Sequence, residues 1–184
     1  MGITDKNVVL FVGQYIHRKG LDVLLDIARR LEALDAGLYL VGGEPDDELK
    51  TIVKDYGLGR VHFIPFMTKG ELRPFYRVAD VFALPTREDI WGLVINEAMG
   101  KGVPIVSTNR CVAALTMVEP GKNGYIIDVE DSDQLFEKTA DLLNDPAKRQ
   151  IFAQNAYETA QKYTIEEMSK CHISIFKQII NQPS

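Results

Sequence analysis

The sequence predicts an α/β fold: a doubly wound, Rossmann-like parallel sheet of six strands with helices on both faces. Three observations predict it. Short apolar runs alternate with segments of helical period along the chain. The connections between them are about 2 to 6 residues long, as in α/β units. Turn-forming residues punctuate the ends of the runs, and the runs are apolar throughout rather than alternating, as strands buried on both sides must be. The expected strand order is 3-2-1-4-5-6.

Each element has a local reason. Asn7 to Val12 is β-rich and stops at Gly13, after which Leu21, Leu24, Leu25, Ala28, Leu31 and Leu34 recur at helical spacing. Gly37 to Gly43 reads as a second strand. It is followed by a helix over Asp46 to Tyr56 that ends at Gly57. Val61 to Pro65 supplies a third strand, and Thr68 with Glu71 forms a capping box ahead of Leu72, Phe75, Tyr76 and Ala79. Pro74 removes an N–H and crowds residue 70, which predicts a kink or a later helix start. Val81 to Leu84 and Val103 to Val106 are the next two strands. Cys111 to Glu119 is apolar but has no clear period, and Pro120 to Gly124 is turn chemistry before a strand over Tyr125 to Asp128. Helices follow over Asp131 to Leu143, from Pro146 with Asp145 as cap, and after a second capping box formed by Thr164 and Glu167. The last helix carries Ile165, Met168, Ile173, Phe176, Ile179 and Ile180 on one apolar face, and nothing preceding it in sequence is an obvious cover.

Composition bounds the function. With 184 residues, 46% hydrophobic and 26% charged, and a net charge of −5, the chain is one globular domain. Mild acidity argues against sequence-independent nucleic-acid binding. Cys111 and Cys171 read as two buried free thiols in a reducing, cytoplasmic compartment, and no run approaches the roughly 20 apolar residues of a membrane span.

The candidate chemistry lies between Pro85 and Ser107, the loop and helix of a strand–loop–helix–strand crossover. In a parallel sheet such loops face the ligand crevice at the carboxyl ends of the strands. Two carboxylates, Asp89 and Glu97, frame the segment; if it is mostly helical they stand roughly 12 Å apart. That spacing exceeds the 5 to 9.5 Å of a glycosidase pair and suits a ligand with hydroxyls at both ends and phosphate between. The loop Gly13 to Gly20 should face it, placing Arg18 and Lys19 before a helix where phosphate binds well. A redox Rossmann domain is disfavoured, because Gly-x-Gly-x-x-Gly is absent. No metal-ligand spacing is present, so neither a metal nor another cofactor is expected. His17, His62 and His172 read as incidental surface or core residues.

Asp89-Ile90-Trp91-Gly92-Leu93-Val94-Ile95-Asn96-Glu97, followed by Gly102-Val103-Pro104, resembles the Glu-x-Phe-Gly-x-x-x-x-Glu signature of family 4 retaining glycosyltransferases of the GT-B fold. Gly13 to Gly20 is similar to that family's Gly-Arg-x-x-x-x-Lys-Gly loop, and Val41-Gly42-Gly43, Glu71-Leu72 with Tyr76, and Asn123-Gly124 match further positions. The resemblance implies that residues 1–184 are the nucleotide-sugar donor-binding half of a GT-B enzyme. Glu97 would bind the ribose hydroxyls, Asp89 would face the donor sugar as the catalytic carboxylate, and Phe66 and Met67 would lie by the base. Gly13, Gln14, Lys19 and the backbone of Gly92 and Leu93 would surround the diphosphate. Three positions depart from the family: Asp89 replaces Glu, with Glu88 beside it competing for the role; Gln14 replaces Arg, making Arg18 a substitute cation; and Arg110-Cys111-Val112 replaces a Gly-Gly pair.

The resemblance further implies a partner half, an N-terminal domain carrying the acceptor site, on which the final helix over 164–184 packs. It implies hexosyl transfer in cell-surface polysaccharide or glycoconjugate synthesis, peripheral association of the full-length enzyme with the inner membrane face, and an inactive isolated domain. Two alternatives are a nucleotide-sugar epimerase or phosphorylase of GT-B form, and a non-enzymatic nucleotide-binding module.

Overall fold

The computed structural model describes residues 3–180. Its strands are β1 (Asn7–Val12), β2 (Ala36–Val41), β3 (Val61–Ile64), β4 (Val81–Leu84), β5 (Ile105–Thr108) and β6 (Gly124–Ile127). They form one six-stranded sheet in the order β3-β2-β1-β4-β5-β6. Every pairing is parallel, with Val9 opposite Leu38 on one side and Val81 on the other. β2, β4 and β5 are buried along their whole length, including the polar Ser107 and Thr108 of β5, whereas the edge strand β3 is half-buried throughout.

The helices are α1 (Leu21–Glu32), α2 (Asp47–Asp55), α3 (Lys69–Val78), α4 (Leu93–Met99), α5 (Val112–Met117), α6 (Ser132–Asn144), α7 (Pro146–Gln161) and α8 (Ile165–Ile180). They cover both faces of the sheet. α1 packs against α6, and α4 packs against α5 and α7. Phe11, Phe82, Leu24, Ile95 and Ile105, all fully buried, belong to one continuous core.

Local signals account for most boundaries. The Asp46 carboxylate accepts from the Leu49 N–H at 2.9 Å, the Asp131 carboxylate from Gln134 at 2.8 Å, and the Asp145 carboxylate from Lys148 at 2.9 Å. Glu71 returns to the Thr68 N–H at 2.8 Å, completing the predicted capping box.

Three expectations need correction. α3 starts at Lys69 despite Pro74, because the carbonyl that loses its partner belongs to Gly70, which is exposed and can bond water. The second capping box is half made: Thr164 Oγ1 accepts from the Glu167 N–H at 3.2 Å, but the Glu167 carboxylate pairs with Lys170 at 2.5 Å instead of turning back. Cys111 is buried as expected, while Cys171 is exposed on α8. The apolar segment whose form the sequence left open is helical, as α5.

α8 buries none of its residues in this chain, and the face bearing Ile165, Met168, Ile173, Phe176, Ile179 and Ile180 is exposed. Residues 181–184 of the predicted final helix lie outside the described residues. No helix among the described residues is long and apolar enough to cross a membrane.

Candidate functional site

The loops after β1 and β4 leave the carboxyl ends of adjacent strands and face each other, as the topology dictates. They are laced together. The Arg87 N–H donates to the Arg18 carbonyl at 2.8 Å, and the Arg18 guanidinium donates to the Glu88 carbonyl at 2.7 Å. The fully buried Thr86 hydroxyl lies 2.9 Å from both the Arg18 and Glu88 carbonyls, with one proton to share between them. Gly20, at φ +73°, brings the first loop so close that a Cβ there would lie 2.1 Å from the Pro85 carbonyl oxygen. Arg87 adds a clamp through Asp22 at 2.7 Å and Glu130 at 2.7 Å, reaching the turn after β6. Its hydrogen bond, more than any other influence, holds the Asp22 carboxyl below its ordinary 3.8.

Lys19 and Asp89 meet inside this lacing. Their Nζ–Oδ2 distance is 2.5 Å and each side chain is 13% exposed, so the pair is well shielded from solvent. Asp89 is fixed from behind as well: its N–H donates to the Arg110 carbonyl at 2.9 Å, and its carbonyl accepts from the Val112 N–H at 3.2 Å. The segment that stands where a Gly-Gly pair was expected therefore anchors the first acid through its backbone. Glu88, by contrast, is exposed at the loop rim.

Glu97 projects from α4. Tyr76 Oη donates to Glu97 Oε2 at 3.2 Å, and Lys69 Nζ lies 3.6 Å from Oε1. A cavity of about 250 Å³ beside it is lined by Gly13, Gln14, Phe66, Met67, Val94 and Glu97, together with β1 and β2 residues and Leu72. Five of the sequence-predicted site residues thus share one cavity. Leu93 instead lines a second cavity, of about 390 Å³, with Glu97, Tyr76, Lys69 and Lys101. Gly92 is buried at the N-cap of α4, and Arg18 is exposed on the loop rim. The helical rise behind the roughly 12 Å spacing applies to only part of the segment, because α4 begins at Leu93 and residues 89 to 92 are loop.

Sequence reasoning missed Thr86, Arg87 and the Tyr76 contact to Glu97. Tyr76 did carry a signal: it falls on the apolar face of α3, yet ends in a hydroxyl that a buried position must satisfy. Among the described residues, no group of three or more His, Cys, Asp or Glu side chains is arranged to hold a metal ion.

This sheet order, with its crevice between the first and fourth loops, defines a Rossmann-like domain of the kind that makes up one half of a GT-B glycosyltransferase. Residues 2–159 match the family model for glycosyl transferases group 1, and the chain belongs to that family. Among curated relatives, the lipopolysaccharide core biosynthesis glycosyltransferase LpsE of Rhizobium meliloti is 31% identical over 157 residues, covering 84% of this chain and 45% of LpsE. Among solved structures, HepE of Anabaena in complex with UDP-glucose superposes with a TM-score of 0.83 at 26% identity, over 94% of this chain and 49% of HepE. The C-terminal domain of the group 1 glycosyltransferase LpcC from Francisella tularensis gives a TM-score of 0.79 at 26% identity and covers 88% of both chains. The chain spans about half the length of relatives such as LpsE and HepE.

Proposed function

We propose that this chain is the nucleotide-sugar donor domain of a retaining glycosyltransferase. The observation that carries the reading is the gathering of Gly13, Gln14, Phe66, Met67 and Glu97 around one cavity at the carboxyl edge of the sheet. The Lys19–Asp89 pair in the facing loops supports it. In this reading Phe66 and Met67 lie against the base, and Glu97 accepts from the ribose hydroxyls. Lys19, Arg18, and the backbone of Gly13, Gln14, Gly92 and Leu93 meet the diphosphate. Asp89, shielded and fixed through its backbone, takes the sugar in preference to the exposed Glu88.

Transfer breaks the bond from the anomeric carbon to the diphosphate and forms one to the acceptor oxygen on the same face. The acceptor proton leaves with the departing diphosphate. Lys19 and the backbone amides stabilise the charge that develops on the leaving oxygen, because they are already oriented before the bond breaks. In this proposal Lys19, Arg18 and the backbone amides meet the charge of the leaving group, with no metal or other cofactor. The acceptor site belongs to a second, N-terminal domain of the same protein, which also covers the apolar face of α8 and leaves this chain alone with little transferase activity. HepE, with UDP-glucose in its structure, supports a nucleotide-sugar donor. The name of LpsE, a lipopolysaccharide core biosynthesis glycosyltransferase, supports a role in cell-surface glycoconjugate synthesis. In this reading the whole enzyme is cytoplasmic and works at the inner face of the membrane.

Calorimetric titration with UDP, GDP and dTDP tests the reading, with Glu97→Ala and Lys19→Ala as controls. Saturable binding of one nucleoside diphosphate, weakened at least tenfold in both variants, is expected. Equal binding in wild type and both variants would refute it.

A further inference from the structure

We propose that Tyr76 is the positioning residue for Glu97, fixing one carboxylate oxygen so that the other is presented to the ligand. This rests on the donor-site reading above and extends it to a residue on a different helix. Tyr76 lies on α3, is 3% exposed, and packs its ring against Phe82 of β4 at a centroid distance of 6.0 Å. A ring held in that way points its hydroxyl in one direction. That direction is Glu97 Oε2, 3.2 Å away. Phenylalanine would fill the same packing position without a polar atom to bury, so the hydroxyl is accounted for only by its partner. Burial, and after it the charge of Glu97, raises the phenol well above its ordinary 10.0, which keeps it a proton donor at any physiological pH.

The two oxygens of Glu97 consequently have unequal partners. Oε2 is held by a rigid, buried neutral donor. Among the described residues Oε1 pairs with Lys69 alone, at 3.6 Å, on a side chain that is 78% exposed. Such an exposed pair contributes little and yields readily to a competing donor. A vicinal diol would take Oε1 from Lys69 while Tyr76 keeps the carboxylate plane in place. Without the hydroxyl, Glu97 can turn toward Lys69 and Lys101 in the neighbouring cavity.

Tyr76→Phe, Glu97→Ala and the double variant are compared with wild type by titrating the full 184-residue chain with UDP, GDP and dTDP. Tyr76→Phe should weaken the preferred nucleotide roughly five- to tenfold, as expected when a charged acceptor loses a donor. It should add less than about twofold in the Glu97→Ala background, because its effect passes through Glu97. In the two-domain enzyme the same variant should raise the donor KM while leaving kcat within about threefold. Unchanged binding in Tyr76→Phe, with binding lost in Glu97→Ala, overturns the positioning role and leaves the donor site standing. An equal loss in both backgrounds means Tyr76 acts only on the fold, and also overturns it. No binding of any nucleotide by wild type removes the donor reading and this proposal together.

Discussion

Replacing Gly20 by alanine should open the crevice, and the size of the effect follows from two separate costs. At φ +73° a residue with a Cβ is disfavoured by about 1 to 2 kcal/mol. The second cost is steric. The new Cβ would stand 2.1 Å from the Pro85 carbonyl oxygen, a backbone atom that no rotamer can move, and it must retreat beyond 3.0 Å. That retreat, on the order of 1 Å, parts the two loops. It stretches the Arg87-to-Arg18 bond at 2.8 Å, the Arg18-to-Glu88 bond at 2.7 Å and the Lys19–Asp89 pair at 2.5 Å. Losing one or two of these adds about 1 to 2 kcal/mol, so the total is about 2 to 4 kcal/mol. Gly57 is the matched control: its φ is +59°, and among the described residues beyond its chain neighbours an added Cβ would meet just Arg29 Nη2, at 3.9 Å. Gly57→Ala therefore carries the backbone cost alone, about 1 to 2 kcal/mol. Urea denaturation of both variants gives the two values, and calorimetry should show nucleotide affinity reduced only in Gly20→Ala. Equal destabilisation by the two substitutions, with equal affinity, would refute the view that this loop contact builds the crevice.

Two further outcomes are expected. Lys19→Met leaves Asp89 shielded and without its cation, so it should cost about 1 to 3 kcal/mol in denaturation, and adding Asp89→Asn should recover part of that loss. Asp22, held below 3.8 chiefly by the hydrogen bond from Arg87, contributes stability that is present above pH 3.8 and lost as pH falls through its lowered value. Arg87→Ala should abolish that acid-side step in a stability–pH profile while the rest of the curve keeps its shape.

The sheet was legible chiefly because strands such as β2 and β4 are buried along their length and read as apolar runs, while β5 was read from Ile105 and Val106, its buried Ser107 and Thr108 being polar. Helix starts were legible for a different reason: Asp46, Thr68, Asp131 and Asp145 act on backbone groups three residues away, within reach of a local pattern. The same pattern misled at Thr164, where Lys170 competes for Glu167, and local sequence does not rank the two partners. In the site, Asp89, Glu97 and Lys19 stood out as charged residues beside loop and helix signals. The clamp made by Arg87 did not, because Asp22 and Glu130 lie 65 and 43 residues away and come within reach only through the strand order. Tyr76 is an intermediate case, 21 residues from Glu97, with a hydroxyl whose purpose depends on how two helices are set on the sheet.

If Lys19 meets the diphosphate as proposed, its contact with Asp89 also bears on selectivity among anions. A free lysine has many rotamers, and freezing them opposes the capture of any phosphate. Here the ammonium is tethered on one side, with three N–H groups of which Asp89 needs only one. Ordering of that side chain accompanies folding rather than association, so less of it opposes ligand capture. The nearby carboxylate meanwhile repels a lone phosphate more than it repels a diphosphate ester, whose charge is partly carried by oxygens farther off. Such a tether favours ligands that extend past Lys19 over inorganic phosphate, which would bind there only weakly.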